Sequence, residues 1–258
     1  MSVKEVTFYG NRQVSEVTIL SRVYDQLIAW GFTCDTTIEE QCVQGNKPRF
    51  TFDWLGIQNF TLQRDAVYES GSRNYTFYLG DRLVGTSQFY TTVNMENVSD
   101  LYFNLRLVEK GTDGFILFIG GSTTMSVGLP ITLSVGCVLA ADNKFLNVFG
   151  TPYSNSVYGA NVIFDWLNFE RDGKTYGRVI KIPSLIAPPN EIYIIDDYPI
   201  CSSVTSLNRT VAIETAQVLT TIPMLKVCSA IPNGTKITIN GKTYMALDSC
   251  TLAEAGDN

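Results

Sequence analysis

Histidine is absent from this sequence of 258 residues. Without an imidazole, Ser-His-Asp and Cys-His catalytic triads, His-ligated zinc or haem, and a histidine pH switch are all excluded. The Gly-rich patterns that cradle phosphates, the Gly-x-Ser-x-Gly turn of serine hydrolases and any Cys-x-x-Cys pair are also missing. We therefore expect a protein that is not an enzyme, with no catalytic residue, no metal site and no cofactor.

Charged side chains are scarce, since they make up 17% of the sequence against about a quarter in typical soluble proteins. Serine, threonine and asparagine are abundant instead, and number 18, 26 and 17. The net charge of −6 at pH 7 has the wrong sign for a protein that binds by neutralising phosphates, so we expect no nucleic acid partner. A charge-poor surface favours a subunit that buries much of that surface in an assembly.

The N-terminal residues Met1 to Gly10 show neither the apolar core nor the cleavage site of a signal peptide. Phe115 to Ile119 is among the longest apolar runs, and it is far shorter than the roughly 20 residues needed to cross a bilayer. We therefore expect a chain that is made in the cytoplasm and has no membrane contact. There the six cysteines should stay reduced, with Cys137 acting as a small apolar residue within a strand.

An amphipathic α-helix is predicted from Ser15 to Trp30, because apolar residues recur there at intervals of three and four. Ser15 is suited to cap the first turn of this helix. Gly31 is suited to end it in a left-handed conformation. We expect the helix to cover the core of a sheet.

From about Lys47 onward, short runs of β-branched and aromatic residues alternate with Gly, Asn and Asp, which indicates hairpins. Asp172-Gly173 and Asn240-Gly241 have the composition that a type I′ turn requires. The sequence therefore predicts a mainly β (α+β) protein, with antiparallel sandwich-like or barrel-like sheets and one N-terminal amphipathic helix. The expected strands are 49–54, 59–64, 75–79, 88–93, 101–108, 114–119, 131–139, 161–169, 176–182, 191–195 and 236–239.

Two breaks divide these strands. Turn-forming residues without charge cluster at Gly120 to Gly128, and two consecutive prolines follow Ala187. We interpret 1–120 as an N-terminal helix plus β domain, 121–190 as a second β layer or a continuation of the same domain, and 191–258 as a C-terminal β-hairpin unit.

The tetrapeptide Phe-Asp-Trp-Leu occurs twice, by duplication or by chance, and it places Asp53 beside Trp54 and Asp165 beside Trp166. Glycoside hydrolysis needs two carboxylates and no histidine, and an indole offers a sugar a flat platform. One hypothesis is therefore a carbohydrate-binding or glycoside-hydrolysing module that uses these four residues, with at least one tryptophan exposed. The other interpretation is structural, because neighbouring strand residues point to opposite faces. The indole then enters the core while the carboxylate caps a turn.

The C-terminal segment Thr235 to Glu254 contains Asn-Gly-Lys-Thr-Tyr between two strand-like stretches. It resembles the terminal hairpin of tailed-bacteriophage virion proteins, which close with a short strand, a turn of this type and a final strand with a small apolar and acidic tail. The resemblance covers 20 of the 258 residues. It implies a non-enzymatic structural subunit of the phage neck, tail or baseplate, located in the virion.

The partners implied by this resemblance are copies of the chain itself, in a homo-oligomeric ring or array, and other virion proteins. Strand edges carry unpaired backbone groups and can accept a strand from a neighbour. We therefore expect the sheet edges, the Gly120 to Gly128 loop and the termini to dock these partners.

Overall fold

The computed structural model describes residues 2–10, 16–35, 38, 47–64, 74–88, 101–123, 131–150, 155–156, 162–181, 194–201, 218–228, 235–246 and 251–255. One α-helix, α1, spans Glu16–Ala29. The strands in chain order are β1 Ser2–Gly10, β2 Thr33–Cys34, β3 Arg49–Trp54, β4 Gln58–Arg64, β5 Asn74–Leu79, β6 Arg82–Gln88, β7 Leu101–Glu109, β8 Gly114–Thr123, β9 Ile131–Leu139, β10 Phe145–Gly150, β11 Asn155–Ser156, β12 Val162–Arg171, β13 Lys174–Lys181, β14 Ile194–Cys201, β15 Val218–Cys228, β16 Lys236–Ile239, β17 Lys242–Ala246 and β18 Thr251–Ala255.

These strands form three antiparallel sheets. The five-stranded sheet has the order β2-β3-β4-β5-β6. A longer ladder contains the central sheet, β1-β7-β8-β9-β10-β12-β13 with β11 beside β12, and the C-terminal sheet, β14-β15-β18-β17-β16. These two parts join where Gly177 of β13 pairs with Cys201 of β14. The prediction of a mainly β, antiparallel fold with one N-terminal helix is confirmed.

The central sheet is buried on both faces. Along β8, Phe115, Leu117 and Ile119 lie in a core shared with the five-stranded sheet and α1. The alternate residues Ile116 and Phe118 lie in a second core shared with the C-terminal sheet. Because successive side chains of a strand point to opposite faces, one strand supplies both cores. The chain is therefore a sandwich of three layers, with the central sheet in the middle.

Helix α1 closes the side of the first core, and it ends at the predicted glycine. Gly31 has a φ of 96° and donates its amide hydrogen to the Ile28 carbonyl at 2.9 Å, while Phe32 donates to the Leu27 carbonyl at 3.0 Å. These two bonds are a Schellman C-cap. The predicted N-cap Ser15 lies outside the described residues. Three side chains of the inward face are fully buried: Leu20, Val23 and Leu27.

Both predicted hairpin turns are confirmed. Asp172 and Gly173 have φ values of 53° and 77°, and Asn240 and Gly241 have 52° and 75°. Positive φ at both central residues defines the type I′ turn, whose twist matches that of the flanking strands.

Strand β8 runs across the expected domain boundary at residue 120, because it continues to Thr123 and pairs Gly121 with Ile131 of β9. The first four residues of the expected Gly120 to Gly128 loop are therefore strand. Ladder hydrogen bonds use backbone groups, so weak strand formers are held in place by their neighbours. Residues 124–130 and 182–190 lie outside the described part of the chain, as does most of the expected strand 88–93.

We expect Gly136→Ala to lower the free energy of unfolding by about 2 kcal/mol or more, as overpacking does in a rigid core. A Cβ on Gly136 of β9 would lie 2.2 Å from the carbonyl oxygen of Phe115 and 2.9 Å from the Cα of Ile116. Both are backbone atoms of β8 and cannot move aside without disturbing the central ladder. Chemical denaturation measures the change.

Ser134→Ala, two residues earlier on β9, is the matched control. Ser134 is buried, and its Oγ has no hydrogen-bond partner among the described residues. Its removal should therefore change the free energy of unfolding by less than about 1 kcal/mol. Equal losses in the two variants would contradict the close backbone approach at Gly136.

Candidate functional site

Five hairpin turns lie together at one end of the sandwich, which we name the hairpin end. The antiparallel order of the strands brings the turns of each sheet to the same edge. Three of the turns belong to the central sheet and two to the five-stranded sheet: 110–113, 140–144, 172–173, 55–57 and 80–81.

Direct contacts tie the three layers together at the hairpin end. The Trp54 ring lies 5.3 Å from the ring of Phe115 and 5.8 Å from that of Phe145, centroid to centroid. These contacts place the end of β3 against the starts of β8 and β10. On the other side of the central sheet, the amide of Ala141 donates to the carbonyl of Thr221 in β15 at 2.9 Å. The turns of one layer are thereby fixed against those of the next.

A buried carboxylate joins the five-stranded and central sheets. Glu170 of β12 is 2% exposed and forms an ion pair with Arg82, which follows the 80–81 turn. Its Oε1 also accepts a hydrogen bond from the amide of Gly173 at 2.6 Å, and its Oε2 accepts one from Nδ2 of Asn147 at 2.8 Å. A buried charge needs such partners. Glu170 therefore links the 80–81 turn to the 172–173 turn.

A second ion pair fixes the 140–144 turn. Arg171 donates from Nη1 to Oδ2 of Asp142 at 2.7 Å and from Nη2 to Oδ1 at 3.2 Å. Its Nε donates to the carbonyl of Phe145 at 3.2 Å. The hydrogen bonds from Arg171 stabilise the charged carboxylate and hold the pKa of Asp142 below its usual range.

Exposed apolar side chains are concentrated at the hairpin end. Among the described residues, six large apolar side chains are exposed. Five of them lie no more than three residues along the chain from Trp54, Arg82 or Thr221, which make the contacts between layers given above. The sixth, Ile28, lies on α1. The five are Leu55 (62% exposed), Ile57 (39%), Leu83 (55%), Val218 (55%) and Leu219 (49%).

Leu55 is held outward by a strained turn. Its φ is 53°, a left-handed conformation that costs an ordinary residue about 1–2 kcal/mol. The turn is fixed by a hydrogen bond from the amide of Gly56 to Oδ2 of Asp53 at 2.7 Å, and by one from the amide of Ile57 to the carbonyl of Trp54 at 2.9 Å. Strain and exposure both disfavour leucine here in an isolated chain, and such sites are where function is sought.

The hairpin end is acidic, because Asp53 and Glu170 lie there beside five turns whose own charges balance. The five turns, taken with one flanking residue on each side, contain five acidic and five basic residues. The charge of the hairpin end therefore has the sign of the whole chain, whose net charge is −6. The ten charged residues are Asp81, Glu109, Asp113, Asp142, Asp172, Arg82, Lys110, Lys144, Arg171 and Lys174.

The carbohydrate hypothesis is wrong at Trp54, because this side chain is 1% exposed and cannot offer its face to a sugar. Asp53 caps the turn at Gly56 instead of facing a substrate, so the structural interpretation of this pair is confirmed. Asp165 and Trp166 belong to β12, where Asp165 pairs with Arg178 before an irregularity in the ladder. Their side chains lie outside the described part of the structure.

Among the cysteines whose side chains are described, Cys34 and Cys137 are free thiols. Cys137 is fully buried in β9, which confirms its prediction as a small apolar residue. Burial raises the pKa of its thiol to about 12. Burial and, to a lesser extent, the charge of Asp35 raise the pKa of Cys34 to about 11. Since only the thiolate is nucleophilic, both side chains are inert at neutral pH.

Neither family models, curated protein sequences nor solved structures gave a match to this chain. In the part of the chain described above, no three His, Cys, Asp or Glu residues are grouped as metal ligands. Across the same residues, no helix has the length and apolar character needed to span a membrane.

The exposed residues of the hairpin end were missed by sequence reasoning. Leu55-Gly56-Ile57 lies between two alternating strands and holds two large apolar residues where a turn normally carries polar ones. Two large apolar residues in a turn can be recognised in the sequence, and they indicate an exposed apolar site. Val218 and Leu219 had no comparable signal, because their exposure depends on how β15 packs.

Replacing Arg171 with Gln should raise the pKa of Asp142 towards its ordinary value of 3.8. The ion pair lowers the pKa of Asp142 in the folded chain. Its stabilising effect is therefore fully present above the pKa that Asp142 has in the unfolded chain, and it is lost as the pH falls through the pKa of the folded chain. NMR titration of the Asp142 carboxyl carbon measures the change. Lys144→Gln is the control, because the charge of Lys144 contributes least to the lowered pKa of Asp142 and its removal should shift that pKa less. Equal shifts in both variants would contradict the assigned cause.

Proposed function

We propose that this chain is a non-enzymatic structural subunit of a bacteriophage particle, in the neck, tail or baseplate. It acts through interfaces with copies of itself and with other virion proteins, after synthesis in the host cytoplasm.

The observation that carries the assembly part of this proposal is the apolar surface of the hairpin end. Five exposed apolar side chains stand on turns and strand ends that are rigidly tied to one another. Exposed apolar groups on a rigid support are characteristic of protein interfaces, which bury such groups at their centre. The ion pair and hydrogen bonds of Glu170 fix the conformation of this surface in the unbound chain, which reduces the conformational entropy lost on binding.

The bacteriophage part rests on the C-terminal segment. Strands β16 and β17 form a hairpin around Asn240-Gly241, and β18 adds beside β17 with Glu254 opposite Tyr244. The segment is thus three antiparallel strands with the turn between the first two, and its assignment to a phage particle rests on the sequence resemblance of residues 235–254. Lys242 and Glu254 form an ion pair at 3.3 Å across β17 and β18.

The mass of the purified chain in solution tests the assembly proposal. Light scattering over a range of concentrations down to the submicromolar should show particles much larger than the 28.6 kDa chain, and electron microscopy should show rings or regular arrays. A stable monomer of 28.6 kDa at every concentration would overturn the proposal.

Leu55→Asn should change stability and assembly in opposite directions. Asparagine adopts the left-handed conformation more readily, so the free energy of unfolding of the single chain should rise by about 1 kcal/mol. The same change removes an exposed apolar side chain from the hairpin end, so the assembled fraction should fall. Denaturation and light scattering measure the two effects.

Ile28→Gln is the matched control, since it removes an apolar side chain of 46% exposure from α1. It should leave the assembled fraction unchanged. Assembly of the Leu55→Asn variant at the level of the parent chain would show that the hairpin end is not the surface used.

A further inference from the structure

Asparagine is followed by glycine at two places in the chain, Asn233-Gly234 and Asn240-Gly241. In such a pair the backbone nitrogen of the glycine can attack the side-chain amide of the asparagine, because glycine has no Cβ to hinder the approach. Asn233 lies outside the described residues. Asn240 and Gly241 form the type I′ turn between β16 and β17, and both are exposed. The surroundings of Asn240 therefore decide whether the attack is open to it.

The backbone amide of Gly241 is free to react. The two central residues of a two-residue hairpin turn lie outside the ladder of hydrogen bonds. Across the described part of the chain, no group accepts a hydrogen bond from this amide. A Cβ built on Gly241 would meet no atom beyond its chain neighbours within 4 Å, so the turn is open to water and hydroxide. The amide can therefore lose its proton to solvent without first breaking a hydrogen bond.

Two other turns with a left-handed backbone differ in this respect. In the 172–173 turn, the glycine amide donates to Oε1 of the buried Glu170 at 2.6 Å, and the preceding residue is an aspartate with no ammonia to release. Asn143 is exposed and has a φ of 59°. The amide that follows it belongs to Lys144, which carries a Cβ and donates to Oδ1 of Asp142 at 3.3 Å. Neither turn combines an asparagine with a free glycine amide.

We propose that Asn240 is a site of spontaneous deamidation. The deprotonated nitrogen of Gly241 forms a bond to Cγ of Asn240, and the side-chain nitrogen leaves as ammonia after it takes up a proton from water. The product is a five-membered succinimide ring. Water then adds to one of the two ring carbonyl carbons and breaks the bond of that carbon to the ring nitrogen, which gives aspartate or isoaspartate. The reaction consumes water, releases ammonia and is independent of assembly.

Isoaspartate at this position would weaken the attachment of β16. Its backbone runs through the side-chain carbon, so the chain between Ile239 and Lys242 becomes longer. These two residues close the turn, and they cannot then keep their register. Strand β16 is the edge of the C-terminal sheet and pairs with β17. Ile237 and Ile239 pack against the cluster that contains Tyr244, so conversion should loosen this packing.

Peptide mass spectrometry of the folded full chain tests the proposal. Trypsin cuts after Lys236 and Lys242, and Asn240 is the only asparagine between these two cuts. After incubation in heavy-oxygen water at mildly alkaline pH, this peptide should carry a heavy hydroxyl in place of the side-chain amino group. Asn143, the only asparagine of the tryptic peptide 111–144, is the internal control. Because the amide after Asn143 is hydrogen-bonded, Asn240 should convert at least about fivefold faster.

The variant Gly241→Asn tests the attacking atom. Asparagine tolerates a positive φ and keeps the type I′ turn, but its Cβ hinders the approach of the backbone nitrogen. Conversion at position 240 should therefore fall to the level of Asn143. Fragment ions of the peptide assign the modified position.

Three outcomes would overturn the proposal. Conversion of Asn240 no faster than that of Asn143 would show that the free glycine amide has no effect. Conversion that occurs only after denaturation would show that the folded turn is not a site. Equal conversion in the parent chain and in Gly241→Asn would show direct hydrolysis without attack by the backbone nitrogen. None of these outcomes bears on the proposed function.

Discussion

The burial of β8 on both faces is the constraint on which the rest of the structure depends. An antiparallel sheet commonly leaves one face to solvent, and a strand then needs apolar residues at alternate positions only. In β8 the run from Phe115 to Ile119 is apolar at every position, so both faces of the central sheet need a cover. The five-stranded sheet and α1 cover one face, and the C-terminal sheet covers the other. The long ladder therefore folds back on itself after β13.

Three layers that end in short turns bring many polar backbone groups to one place. At the hairpin end the amide of Gly173 is satisfied within the central sheet by Glu170, while the ion pair of Glu170 with Arg82 and the hydrogen bond from Ala141 to Thr221 join the central sheet to the layers on either side. The layers are consequently fixed against each other where their apolar side chains reach solvent. Rigidity and apolar exposure at the same end are the physical basis of the assembly proposal.

Local signals in the sequence were enough for the elements that local chemistry decides. Gly31 ends the helix because glycine adopts its positive φ without steric strain. Asp172-Gly173 and Asn240-Gly241 form their turns because Asp, Asn and Gly tolerate the positive φ that a type I′ turn requires. Cys137 was predicted as an apolar core residue from the strand around it. Strands β1, β6, β10 and β15 were not expected. Strand β1 pairs with β7, about a hundred residues further along the chain, and no local pattern reports a partner at that distance.

The candidate site was less predictable than the fold, because exposure depends on packing between layers. Trp54 looks the same in sequence whether it is a sugar platform or a core residue, and only its contacts with Phe115 and Phe145 decide between these roles. Leu55 shows the opposite case. Leucine rarely adopts positive φ, so its turn was not anticipated, although the apolar residues around Gly56 stand out in the sequence once the turn is known.

The central claim, that the hairpin end is the surface buried on assembly, is tested most directly by hydrogen exchange with mass spectrometry at high and low protein concentration. The account predicts that amides of 55–57 and 218–220 exchange more slowly in the assembled sample, while those of the 240–241 turn keep their rates. Assembly that leaves the first two segments unprotected and slows exchange elsewhere would contradict it.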